Sequence, residues 1–310
     1  MQSSFSSEDA DPVVHRQAKS AYYTLYLPDD EGSSGPFGLL PRWVVEKMPW
    51  DQDWVIDHLH QQIKPTSEVV RSSSQAKTIQ KTLMRARQRK CFHVLNGWRD
   101  EMYSIYGTKP CVSVERAGSP LFGMNTFGVH MTVYTMVNGE PRIWVPRRAR
   151  DKQTYGGLLD NSVAGGLSAG EDPFDCLIRE AAEEASLPEL LVRRNAKACG
   201  TVSYFHLRDN RAGGEDGLCQ PECQFVYDMA VEADVRLKPN DAEVEDFFLY
   251  SAGEIKSRMS SSEFKPNCVL VLLDFFIRHG ILTADNEPRY AELIARLHRR
   301  LPFPVPKTWK

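Results

Sequence analysis

Residues 127–146 limit the possible folds more than any other stretch of the chain. Val129, Met131, Val133, Thr135 and Val137 alternate along one face, Asn138-Gly139 follows, and residues 142–146 (RIWVP) return. Period-two alternation marks a strand, and Asn-Gly supplies the two positive-φ residues that a tight hairpin turn needs. Further strands are predicted at 198–207 and 224–231. The apolar run 268–279 sets Val269, Leu272, Leu273 and Phe276 at the core spacing of a helix. Residues 290–301 read as a terminal helix, closed by the proline-rich 302–306. Strands interleaved with helices predict an α/β or α+β layered domain.

The chain divides near residues 107–120. Ahead of that point, 22–27 (YYTLYL) reads as a strand, and the Gly-, Ser- and Asp-rich 29–38 reads as an interrupting loop before apolar character resumes at 39–45. Trp43, Trp50 and Trp54 are predicted to pack in a core. The basic run 74–89 predicts a helix with a solvated face. The expected organisation is a disordered tail over 1–19, an N-terminal α+β unit over 20–112 and a second domain over 113–310.

Composition excludes several classes. Of the 310 residues, 42% are hydrophobic and 25% charged, an ordinary globular mixture with ample material for a core. No run approaches the ~18 uninterrupted apolar residues of a transmembrane helix, so no membrane partner is expected. A net charge of −3 advertises no nucleic-acid surface. Glu8, Asp9 and Asp11, with no apolar segment near them, argue against a secretory or transit leader. The seven cysteines are odd in number and scattered, which predicts reduced thiols and a cytoplasmic setting. Cys219 and Cys223 lack a second Cys or His pair at zinc spacing.

Residues 165–187 (GGLSAGEDPFDCLIREAAEEASL) carry the chemistry. Asp172 is placed to cap a helix whose first residue is Pro173. Leu177, Ile178, Ala181 and Ala185 form its docking stripe, while Glu180, Glu183 and Glu184 gather on another face at spacings of three and four. With no lysine placed to neutralise them, these carboxylates predict an oxygen-ligand site for Mg²⁺, with Mn²⁺ as the other candidate. Gly165 and Gly166 are expected to bring backbone groups close to a phosphate or metal. Glu171 is placed to pair with Arg179 if the loop folds back.

From Gly165 through Glu171, Arg179-Glu180, Glu183-Glu184 and Leu187, the segment resembles the box of the Nudix hydrolase family, with Ser186 where that motif has its last glycine. The segments 115–135, 142–166, 200–228 and 263–282 are similar to one Nudix subfamily, related to the Nudix part of thiamine pyrophosphokinase fusions, and 20–110 is similar to its N-terminal segment. The resemblance implies a Nudix fold, a mixed β-sheet sandwiched between helices. It also implies hydrolysis of thiamine-type diphosphates, damaged forms such as oxythiamine or oxothiamine diphosphate foremost, to monophosphate and phosphate. No room is expected for an appended kinase domain. The alternatives are a nucleoside diphosphate derivative such as ADP-ribose, or a non-catalytic Nudix-fold binding protein.

By that resemblance Glu180, Glu183 and Glu184 hold the cation, with the Ala164 carbonyl as a further ligand. One of these glutamates, or Glu243 or Glu245 on a later acidic loop, orients the attacking water. Arg147 and Arg148, with Arg150 and Lys152 beyond them, are candidates to steer phosphate. His130 alternates with apolar residues on the first strand, where packing competes with a substrate contact. The expected partner is a small-molecule diphosphate, and the expected assembly is a monomer or a homodimer.

Overall fold

The computed structural model describes residues 21–29 and 31–306. The expected tail over 1–19 lies outside them. Strand β1 (Tyr22–Pro28) pairs antiparallel with β2 (Ser34–Pro41), so the second half of the predicted interrupting loop is strand. Asp29 accounts for the turn: its carboxylate accepts from the amides of Glu31 and Ser33, an Asx-type closure that lets a polar stretch reverse and pair. Helix α1 (Arg42–Lys47), β3 (Trp54–Asp57) and β4 (Gln62–Pro65) follow, giving a sheet in the order β2-β1-β4-β3. After α2 (Ser67–Arg71), helix α3 (Gln75–Gln88) covers that sheet with Ile79, Leu83 and Ala86.

The basic side of α3 is solvated, as expected. Lys81 and Arg85 meet Asp51 at 2.9 and 2.8 Å, and Lys77, Arg87, Arg89 and Lys90 are exposed. The tryptophans belong to the same core. A small hairpin, β5 (Met102–Ile105) with β6 (Val112–Glu115), and the short α4 (Ser119–Phe122) lead into the second sheet.

The predicted long hairpin is β7 (Thr126–Val137) with β8 (Glu140–Arg148), turning at Asn138 (φ 53°) and Gly139 (φ 83°). The remaining elements are β9 (Val163–Gly166), α5 (Pro173–Ala185), α6 (Glu189–Asn195), β10 (Ala196–Leu207), β11 (Cys219–Ala230), β12 (Val244–Ser251), α7 (Ala252–Ser260), α8 (Pro266–Arg278) and α9 (Tyr290–Leu297). The terminal helix therefore stops four residues short of its expected end. The sheet runs β10-β11-β7-β8-β12, with β9 also on β7, and β7 pairs β11 in parallel.

Strand β7 is central and covered on both sides. Val129, Met131 and Val133 pack with Leu177 and Ala181 of α5. On the opposite face, Tyr134 meets Phe275 of α8 edge-on at 5.3 Å. This is the expected sheet between helices.

Candidate active site

Helix α5 starts and stops where the sequence says it should. The Asp172 carboxylate accepts from the Phe174 amide at 2.8 Å, and Pro173 follows at the first turn. At the other end Ser186 adopts φ 54°, ψ 31°, and the Leu187 amide returns to the Ala181 carbonyl at 3.1 Å. A left-handed residue with a Cβ is strained there. Ser186→Gly should therefore stabilise the fold by about 1 kcal/mol. An unchanged or lower urea midpoint would show that the serine carries no strain.

The helix is held against β9 by its last glutamate. Glu184 is buried, and its carboxylate accepts from the Ala164 amide at 3.0 Å. Burial, then the nearby Glu180 and Asp160 charges, push its pKa well above the ordinary carboxylate value. Burial likewise raises Glu180 to about 7. Glu183 stands half-exposed at the rim, with 52% of its side chain in solvent.

The trio is not without a counter-charge, contrary to the reading from spacing alone. Arg179 donates to Glu180 at 2.8 Å and Glu183 at 3.1 Å, and grips Glu171 with two bonds at 2.9 and 3.2 Å. The reason is a loop that folds back: the Ser168 amide donates to Glu171, which brings the fork of Arg179 over the glutamates. Burial opposes ionisation of Glu171, yet Arg179 and the Ser168 amide hold its pKa below the usual value.

Close approach explains the glycine pair. Neither glycine has a positive φ. A Cβ on Gly165 would lie 2.1 Å from the Glu180 carboxyl carbon, and one on Gly166 would lie 1.9 Å from the Tyr103 hydroxyl. The glutamates rim a cleft of about 990 Å³ that runs over β9 to the ends of β10 and β11 and the start of α8.

Of the predicted phosphate-steering residues, Arg148 and Lys152 line this cleft, while Arg147 and Arg150 do not. Arg147 turns to the Gly157 carbonyl and the Phe248 ring, because neighbours on a strand point to opposite faces. Arg148 is committed to Asp160 at 2.6 Å and to Thr154. Glu243 faces the cleft, held by Lys152 and by Arg99 at 3.5 Å. Glu245 lies outside it near Arg150, since a register shift between Val244 and Asp246 breaks the alternation.

His130 lines the cleft floor but is buried, donating from Nδ1 to Asn161 at 2.7 Å. Burial lowers its pKa from 6.5 to about 4. A depressed histidine stabilises the fold above its unfolded pKa and loses that contribution as pH falls. Stability should drop by about 3 kcal/mol from this group between pH 6.5 and about 4. Urea unfolding across that window checks it; the same slope in His130→Gln would assign the effect elsewhere.

Sequence reading missed a polar row on one sheet face. Thr126 and Gly128 of β7 stand opposite Glu222 and Gln224 of β11, and Glu222 opposes Tyr204 of β10. Glu222 is buried and accepts from Tyr204, Gln220 and Gln224. The Gln224 Nε2 donates to Tyr204 at 3.0 Å, which leaves its buried Oε1 without a partner among the described residues. The available signal was Gln220, Glu222 and Gln224 at alternate positions, which place three polar side chains on one strand face. Residues before the hairpin also reach the cleft: Arg99, Glu101, Tyr103 and Arg116.

The donor set fits a hard cation. The buried Glu184 and partly buried Glu180 carboxylates lie beside the Ala164 and Gly165 backbone, and all of these donors are oxygens. As they stand, no three acid, His or Cys side chains among the described residues are gathered to hold an ion, because Arg179 holds Glu180 and Glu183.

Residues 126–268 match the sequence family described as the NUDIX domain. This segment is similar to Nudix domains. Its sheet between helices is the Nudix fold expected from the sequence. Residues 54–126 match a family described as a domain of unknown function (DUF4743). The uncharacterized protein YJR142W of Saccharomyces cerevisiae is 42% identical over 218 residues, 68% of this chain and 64% of that protein. Nudix hydrolase 20, chloroplastic, of Arabidopsis thaliana is 35% identical over 212 residues, 67% of this chain and 54% of that protein. The chain thus spans less than two thirds of the length of these curated relatives. The Nudix domain of Shewanella oneidensis NrtR, solved with ADP ribose, superposes with a TM-score of 0.34 at 15% identity, over 43% of this chain and 77% of that one. No helix among the described residues is long and apolar enough to cross a membrane.

Proposed function

We propose that this chain is a Mg²⁺- or Mn²⁺-dependent hydrolase that cleaves the diphosphate bond of a thiamine-type diphosphate, damaged forms foremost, releasing the monophosphate and phosphate. The carrying observation is the buried carboxylate of Glu184 and the partly buried one of Glu180, packed against the glycine pair in a polar cleft of about 990 Å³. Glu180, Glu183, Glu184 and the Ala164 carbonyl would hold the cation, which supplies charge neutralisation to the diphosphate oxygens.

The protein's own part is positioning. Glu171 keeps Arg179 over the helix when Glu180 and Glu183 turn from it. A water oxygen forms a bond to one phosphorus as the bridging P–O bond breaks in line, and the leaving phosphate carries away that electron pair. The water proton passes to a helix carboxylate; Glu243 is a poorer acceptor because Lys152 and Arg99 engage it. The polar row supports a ring-bearing substrate, since Tyr204, Glu222 and Gln224 line the cleft with donors and acceptors for ring heteroatoms. In this reading 20–112 is an N-terminal α+β unit and 113–310 the Nudix hydrolase domain. The scattered cysteines support a cytoplasmic setting.

Phosphate release with Mg²⁺ tests the reading across oxythiamine diphosphate, thiamine diphosphate, ADP-ribose and nucleotides. Turnover of the thiamine analogues is expected to exceed the others. Background rates on every thiamine analogue would overturn the substrate assignment, and turnover of ADP-ribose alone would favour the nucleoside derivative.

A further inference from the structure

The segment matched as a domain of unknown function does more than flank the Nudix domain: it builds one wall of the cleft. Tyr103 of β5 sits directly over Gly166, so closely that any side chain at 166 would collide with its hydroxyl. The loop between β9 and α5 is fastened to the same strand, with the Ala169 amide donating to the Met102 carbonyl at 2.7 Å. Ser168 Oγ reaches Glu101 at 3.5 Å. The second glycine and the loop that leads into the glutamate helix are thus shaped by residues outside the Nudix match.

On that wall stands Arg116. Glu101 engages its Nη1 at 2.7 Å, and its guanidinium lies 5.7 Å from the Tyr103 ring centroid. Most of its five donors have no partner among the described residues, and 39% of the side chain is exposed where it lines the cleft. Its charge is felt by both Glu180 and Glu243. Arg99, beside it, bonds Glu243 at 3.5 Å. Arg148 and Arg179 in the same cleft are more fully used, Arg148 by Asp160 and Thr154 and Arg179 by three glutamates.

We propose that residues 54–126 complete the substrate site, and that Arg116 takes the phosphate oxygens of the diphosphate across the cleft from the α5 glutamates. A planar fork held by an acid on one edge and a ring on one face keeps its remaining edge for a bidentate phosphate contact. Glu101 and Tyr103 are positioning residues for that fork. This assignment rests on the diphosphate reading above.

Titration calorimetry with methylenediphosphonate and Mg²⁺ on the full chain tests it without turnover. Arg116→Ala should weaken binding by about tenfold or more, and Arg116→Lys by about threefold or more, because a point charge cannot reproduce the fork. Arg142→Ala, on an exposed pair with Glu254, serves as the control and should bind like the parent. In turnover, Arg116→Lys should raise KM more than it lowers kcat. If Arg116→Ala does not fold, the lysine variant decides. Parental affinity in the folded Arg116 variants would overturn the assignment. A parent that binds the diphosphonate and hydrolyses no diphosphate, with Arg116→Lys still weakened, would defeat the hydrolase reading and leave the Arg116 contact standing.

Discussion

Glu184→Gln is expected to lower kcat by about 10³-fold, equivalent to ~4 kcal/mol of transition-state stabilisation, while raising the melting temperature measured without a divalent cation. The two effects have opposite signs for one physical reason. Glu184 is buried beside Glu180, and both carboxylates are pushed up by the lack of solvent. A charge in that position destabilises the fold unless a cation offsets it. The glutamine keeps the shape and an oxygen to accept from the Ala164 amide, now 3.0 Å from the carboxylate. It removes the charge and with it the affinity for the ion. Mg²⁺ should accordingly raise the melting temperature of the parent and leave that of the variant unchanged. Phosphate release and thermal melting with and without Mg²⁺ check this. Activity close to the parent's would remove Glu184 from the cation site.

Asp160→Ala should cost about 3–5 kcal/mol of stability, read from urea unfolding at neutral pH. Asp160 is buried and holds Arg148 at 2.6 Å, with Lys265 at 4.0 Å and the Cys268 thiol donating at 2.7 Å. Burial opposes its ionisation, but the Lys265 and Arg148 charges and the thiol bond outweigh it and hold its pKa below the ordinary 3.8. Truncation strands the buried Arg148 guanidinium, and that uncompensated charge accounts for the loss. Since the folded pKa is depressed, the pair's stabilisation is present above pH 3.8 and fades as pH falls below it. A loss under about 1 kcal/mol would show that Arg148 finds water or another acceptor when Asp160 is gone.

What could be read from the chain was local. Asp172 and Pro173 start α5, the three glutamates fall on one side of it by helical spacing, and Asn138-Gly139 turns the central hairpin, because each depends on residues within a few positions of one another. The pairing of Glu171 with Arg179 was legible for the same reason.

Elsewhere the chain misled where two short-range rules competed. The basic group at 147–152 reads as one patch, yet strand geometry sends Arg147 to Phe248 and Arg148 inward to Asp160. Glu243 and Glu245 look equivalent until the shift in pairing between β8 and β12 leaves Glu243 in the cleft and Glu245 outside.

By itself, then, the sequence determined the acid-bearing helix, its caps and the hairpin beneath it. Only the tertiary structure decided that Tyr103 lies over Gly166, that Arg116 faces the glutamates, and that Tyr204, Glu222 and Gln224 share one polar row. Those contacts join residues tens of positions apart, and sheet register and the docking of one unit on another set them, which no pattern within a single element encodes.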